Sequence, residues 1–228
     1  MDQSALSDIS GILRQVALSA LPVLIAITFH EVSHGFIANK LGDPTAKMMG
    51  RLTLNPIAHI DPFGTILMPL MLLVFTNGQF VFGYAKPVPI NPMNFKNPRQ
   101  GMAISAAGGP VTNILLAVVS ILILKFIVIP SIAFLPAGAA EKILVPAGLM
   151  LKSSVIVNVV LASFNLIPIP PLDGGRVLVG LLPNRQAMSL SRIEPFGFII
   201  VIILIATHIA DYFVLPLVNF FLSILQMF

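Results

Sequence analysis

Four stretches of this chain, at about 10–40, 101–129, 149–167 and 195–226, are apolar over the roughly 20 residues that a helix needs to cross a bilayer. With 57% hydrophobic and 10% charged residues overall, nothing between them is polar enough for a folded soluble module. The pattern implies an all-α polytopic membrane protein of about four to six transmembrane helices. It forms one integral-membrane domain over residues 1–228, with a core at about 20–180 built on three helices and C-terminal helices at about 195–226. His208, Asp211 and Pro216 interrupt the last stretch, which is one span plus an interfacial helix or two tight spans. The first apolar run follows Asp2 and Asp8 rather than a basic segment, so it reads as a span and not as a cleaved signal. Cysteine is absent, which excludes disulfides and thiolate metal ligands.

The region 44–90 is different. It is rich in turn formers, and Gln79–Tyr84 alternates loosely enough to predict a short β segment. Its one apolar run, Phe63 to Thr76, contains Pro69 and reaches only about 21 Å as a helix, which suits a re-entrant segment as well as a span.

Ionisable side chains at membrane depth are costly and usually mark function. The first span ends in His30-Glu31-Val32-Ser33-His34. Imidazoles at i and i+4 share a helical face and can bind one zinc ion, with the intervening glutamate placed as general base on a metal-activated water. A catalytic zinc site usually has a third protein ligand, often a carboxylate. Of the nine acidic residues, Asp173 alone sits at the end of an apolar span in a stiff, irregular segment, Asn165 to Gly175, where prolines 168, 170 and 171 prevent a regular helix. Free backbone groups there imply a lining of protein or water, which is how a polar cavity is built.

Sharing one metal requires His34 and Asp173 to lie at the same depth. Two full crossings between them meet that condition and three do not, so the run from Phe63 to Thr76 is expected to dip rather than cross. Nine of the thirteen Lys and Arg fall in two stretches, 40–99 and 176–192. Placing both in the cytoplasm satisfies the positive-inside rule and leaves the N-terminus and a loop at about 130–148 outside. On this reading the net charge of +4 reflects basic loops and not a nucleic-acid surface.

Ser105 to Asn113, with Gly108, Gly109 and Pro110, reads as a helix-packing motif, and Asn113 can bond across helices. Asn165 is suited either to an interhelical hydrogen bond or to stabilising an oxyanion. His59 and His208 read as structural, with Asp211 three residues after His208.

At His30–His34, Gly109–Asn113, Tyr84–Pro92 and Asn165–Gly175, the chain resembles the site-2 protease family of intramembrane zinc metalloproteases. The resemblance implies one Zn2+ held by His30, His34 and Asp173, Glu31 as general base, and Asn165 as oxyanion partner. It implies an active site within the bilayer towards the cytoplasmic face of a bacterial cell membrane. The substrates implied are transmembrane segments of other membrane proteins, single-pass ones first. The sequence is similar to compact members without a PDZ-like insertion, a nucleotide-binding domain or a separate span before the HExxH helix. The alternatives are a membrane zinc transporter and an inactive relative that binds membrane proteins without cutting them.

Overall fold

A computed structural model describes residues 3–75 and 83–227. The first helix, Gln3–Lys40, carries the HExxH motif near its C-terminal end. Three helical segments are long and apolar enough to cross a membrane: Leu18–Lys40, Pro98–Phe134 and Ala140–Asn165. The bent pair Asn184–Phe196 and Ile199–Ala206 makes a fourth if counted as one span, and Pro62–Phe75 and Ile209–Ile224 are shorter apolar helices. The described residues thus carry three or four full-length spans, at or just below the lower end of the range expected from hydropathy.

The middle span shows what solvent the fold is built for. It exposes Ile104, Val111, Leu115 and Val119 while burying Ser105, Asn113 and Ser120. A helix that hides its polar side chains and presents its aliphatic ones is matched to hydrocarbon, because only there does exposing Leu and Val cost nothing.

Cross-helix bonds fix the directions of the spans. Asn113 reaches the Ala26 carbonyl and His34 reaches Ser105, so the first and middle spans are antiparallel. Asn113 also meets Asn158, and Ser120 meets Ser154 at 2.8 Å, so the middle and third spans are antiparallel as well. The first and third spans therefore run parallel and finish at the same end of the bundle. Segment 41–97 leaves and returns at that end, as a metal shared between His34 and Asp173 requires.

Within this connection Asp43 is fully buried and acts as a knot. Its carboxylate accepts from the Thr45 hydroxyl and N–H, the Asn91 N–H at 2.7 Å and the Asn94 amide at 2.7 Å. Residues 83–90 form a strap without regular secondary structure. The Tyr84 N–H donates to the Gly64 carbonyl, the Lys86 N–H to the His59 carbonyl, and the Arg51 guanidinium to the Lys86 carbonyl. The expected β segment is only partly covered, since Gln79–Phe82 lies outside the described residues. From Gly83 onward no strand ladder forms: Pro87 and Pro89 have no N–H, and the N–H groups of Tyr84, Lys86 and Val88 go to Gly64, His59 and Glu31.

One expectation needs correcting. The loop at about 130–148 is helical except around Leu135 and Pro136, because Glu141 and Lys142 lower hydropathy without disfavouring helix. The C-terminal region breaks at His208, whose φ of 58° ends Gly197–Ala206 before Ile209–Met227 begins.

Candidate metal centre

The i, i+4 spacing brings His30 and His34 edge to face, with ring centroids 4.6 Å apart. Asp173 arrives from the other end of the core. It opens the helix Asp173–Leu181, after prolines 168, 170 and 171 have ended the third span and folded the chain back. The two glycines that follow make this fold possible. A Cβ on Gly174 would lie 2.3 Å from the Leu166 carbonyl oxygen, and one on Gly175 would lie 2.1 Å from the Pro170 nitrogen.

As a result, His30 Nε2 and His34 Nε2 stand 3.2 and 3.4 Å from Asp173 Oδ2. These are the group of His and acidic side chains, among the described residues, able to hold a metal ion, with one donor atom from each within 4.8 Å of the others. All three are buried, at 6%, 9% and 7% exposure.

The hydrogen-bond pattern says what the cluster lacks. His30 Nδ1–H donates to Asn113 Oδ1 at 2.6 Å, and His34 Nδ1–H donates to the Ser105 carbonyl at 2.8 Å. In the neutral form that metal ligation requires, each imidazole carries one N–H, so both Nε2 atoms then present lone pairs to the carboxylate. Asp173 Oδ2 is itself buried with no hydrogen-bond donor. Three electron-pair donors converging without a proton repel one another, and a cation between them removes the repulsion. Two imidazoles and a carboxylate are also a zinc donor set.

Gly109 lets the middle span approach this cluster. A Cβ there would sit 2.5 Å from Cε1 of both rings. The small-residue motif at 105–113 is thus a packing surface, and two of its members, Ser105 and Asn113, also orient the histidines.

Glu31 accepts a hydrogen bond from the Val88 N–H through Oε2 at 2.9 Å. It lines a cavity of about 390 Å³ together with His30, His34, Asp173 and Asn165. Tyr84, Ala85 and Val88 of the strap close one wall, and Val201 of the C-terminal region another. Asn165 donates to its own helix at the Leu161 carbonyl, 2.9 Å away, and not across helices. Its amide has a second N–H, so its place in the cavity wall leaves a donor for a bound group.

The other two histidines stand apart. His59 is buried with Nε2 on the Thr53 carbonyl at 2.9 Å, and it does not line the cavity. His208 is exposed and paired with Asp211 at 3.0 Å. Sequence reasoning missed Asn158 and Arg176. Arg176 lines the cavity and holds Glu194 through Nε and Nη2, at 3.1 and 2.7 Å, which ties the start of the C-terminal region to the metal-site segment. An amide inside an apolar span was the available signal for Asn158.

Comparison with known proteins agrees with this centre. The model of peptidase family M50 matches residues 139–207, the part that holds Asn165 and Asp173. The Bacillus subtilis (strain 168) protein named "Putative zinc metalloprotease YwhC" is 37% identical over 201 residues, covering 87% of this chain and 84% of that protein. The Mycolicibacterium smegmatis protein named "Putative zinc metalloprotease Rip2" is 26% identical over 198 residues, covering 87% and 70%. No solved structure matches the chain. The chain belongs to peptidase family M50, the site-2 protease family, and is an integral-membrane metalloprotease whose metal is zinc.

Proposed function

We propose that this chain is a single-domain intramembrane zinc endopeptidase of the HExxH type, which cuts transmembrane segments of other membrane proteins. The observation that carries the proposal is the convergence of His30, His34 and Asp173 on one buried point, with Glu31 and Asn165 in the same cavity. His30, His34 and Asp173 hold the metal. Bound zinc supplies Lewis acidity, which lowers the pKa of a water to about 7 and polarises the scissile carbonyl.

The chain's own residues do the rest. Glu31, oriented by the Val88 N–H, takes the proton of the attacking water as the new C–O bond forms. It then delivers that proton to the amide nitrogen as the C–N bond breaks. The free N–H of Asn165 donates to the oxyanion between the two steps.

A helical substrate must unwind first, because its carbonyls are tied up in i to i−4 bonds. The strap offers a template for the unwound segment. The N–H groups of Tyr84, Lys86 and Val88 are held by Gly64, His59 and Glu31, and backbone alternation leaves the backbone groups of Ala85, a residue of the cavity lining, on the opposite side of the strap. Pairing with that edge is β-augmentation.

The expected setting is a bacterial cell membrane with the site towards the cytoplasm. The two stretches that hold nine of the thirteen cationic residues lie beyond the end of the bundle where the metal cluster sits, in agreement with the positive-inside rule.

Glu31→Gln tests the reading. Purified in lipid bilayers, it should bind zinc as the wild type does and cut a membrane substrate at least 100-fold more slowly, the lower range for loss of a general base. Zinc flux in both proteins without cleavage by the wild type would identify a transporter. Binding of membrane proteins without cleavage would identify an inactive relative.

A further inference from the structure

We propose that Asn113 and Asn158 form an amide relay whose task is to fix the tautomer of His30, making both of them positioning residues of the centre. The relay's value to catalysis rests on the zinc reading above; its existence does not.

The direction of every bond in the relay is set by backbone carbonyls. Asn158 Nδ2 donates to the Ser154 carbonyl at 2.8 Å, which leaves Asn158 Oδ1 as the acceptor facing the middle span. That oxygen receives Asn113 Nδ2 at 2.8 Å, and Nδ2 also donates to the Ala26 carbonyl at 3.2 Å. With both amide hydrogens of Asn113 used, Oδ1 is turned onto His30 Nδ1 at 2.6 Å. Reversing the Asn113 amide would bring acceptor against acceptor at two contacts, and reversing Asn158 would set acceptor against acceptor at the Ser154 carbonyl and donor against donor at Asn113. Reversing the His30 tautomer would bring the Nδ1 lone pair against Oδ1. Both asparagines are fully buried, so no water can relieve such a mismatch. A single polarity therefore survives, and it leaves the Nε2 lone pair of His30 directed at Asp173.

The two histidines differ in this respect. His34 is fixed by a main-chain carbonyl, that of Ser105, and needs no side-chain support. His30 depends on two side chains from two other spans. The relay thus makes the metal affinity of the first span conditional on correct docking of the second and third. Partners of this kind typically contribute 10- to 100-fold to metal affinity.

The test uses the full chain in bilayers. Zinc affinity is measured by chelator competition, and 15N NMR of histidine-labelled, metal-free protein reads the His30 tautomer. Asn113→Leu should weaken zinc binding 10- to 100-fold and abolish the preference for Nδ1–H. Asn113→Asp, which keeps an acceptor for Nδ1 but sets an oxygen against the Ala26 carbonyl and Asn158 Oδ1, should retain that preference and recover part of the affinity that Asn113→Leu loses. Asn158→Leu, which frees one hydrogen of Asn113, should fall between wild type and Asn113→Leu, and it decides the matter if Asn113→Leu does not fold.

A packing role predicts the opposite order, with Leu tolerated and Asp harmful. That order, or wild-type tautomer populations in both Leu variants, overturns the proposal. Wild-type protein that shows the fixed tautomer but takes up no zinc leaves the relay standing and refutes the metal reading alone.

Discussion

Gly109→Ala should disable the metal centre while leaving the fold intact, and the structure gives the reason and the size. A Cβ at this position would lie 2.5 Å from His30 Cε1, 2.5 Å from His34 Cε1 and 2.6 Å from His34 Nε2. Non-bonded carbons settle at about 3.5–4.0 Å, so roughly 1 Å of separation has to be found. The rings cannot supply it independently, because their Nδ1 atoms are bonded to Asn113 and Ser105, four residues to either side of Gly109 on the same helix. If that helix retreats by about 1 Å, bonds of 2.6 and 2.8 Å stretch past the limit for a hydrogen bond. If it stays, both imidazoles are pushed off the metal position, where the tolerance is about 0.2 Å. A misplacement of this size costs about 100-fold in rate, and a comparable loss of zinc affinity is expected. Gly148→Ala is the control. Its Cβ would meet Leu124 Cδ1 at 3.6 Å and Val128 Cγ1 at 3.9 Å, ordinary contacts, and alanine gains up to about 1 kcal/mol of helix propensity. Zinc affinity by chelator competition and thermal unfolding in detergent should separate the two variants cleanly. Gly109→Ala protein that binds zinc within threefold of wild type would refute the argument.

Two further outcomes concern the connection between the first and middle spans. Burial raises the Asp43 carboxyl, but the Thr45 hydroxyl, the Asn94 amide and the N–H groups of Asn91 and Thr45 outweigh it and hold the group below its ordinary value. The folded-state pKa is therefore the depressed one. Its stabilising contribution is complete above the unfolded value of about 4 and is lost as pH falls below it, so Asp43→Asn should flatten the acid limb of a stability-versus-pH curve. An acid limb unchanged in Asp43→Asn would show that other carboxylates set it. Ala85→Pro removes the N–H from the open edge of the strap and spares the three inward donors. Cleavage of a membrane substrate should drop at least tenfold with zinc binding unchanged, whereas an equal rate would dispose of β-augmentation at this edge.

The parts of the site that were legible in the sequence share a property: each is a side chain whose chemistry conflicts with its neighbourhood. His30, Glu31 and His34 stand out against an apolar span, and Asp173 stands out behind three prolines. Spacing then supplied the geometry, because i and i+4 on a helix admit few arrangements. How the strap is anchored was not legible, for a complementary reason. Its anchors on Glu31, Gly64 and His59 involve main-chain N–H groups, which every residue but proline possesses and no sequence pattern marks. Asn158 fell between the two cases. Its amide is polar enough to be costly in a span, yet asparagine pairs are also a common means of joining helices, so only the chain of donors leading to His30 separates the two roles. The helical stretch at 130–148 was misread because hydropathy registers Glu141 and Lys142 as an interruption, while helix formation does not.

The position of Glu31 links access to chemistry. Its own helix sets the height of the carboxylate, but the Val88 N–H sets its direction, from a segment 57 residues further along the chain. That segment is held at one end by Gly64 and His59 and just beyond its other end by the Asp43 knot at Asn91. The strap is thus pinned outside the site and rests within it on Glu31, the proposed general base. A substrate segment pairing along the Ala85 edge adds to the strap without competing for Val88, whose N–H points the opposite way. Docking on that edge therefore preserves the contact that aims Glu31, whereas lifting the strap away from the first helix breaks it. On the proposed mechanism, the route into the cavity that keeps Glu31 aligned is the one that leaves residues 84–88 in place and extends them sideways.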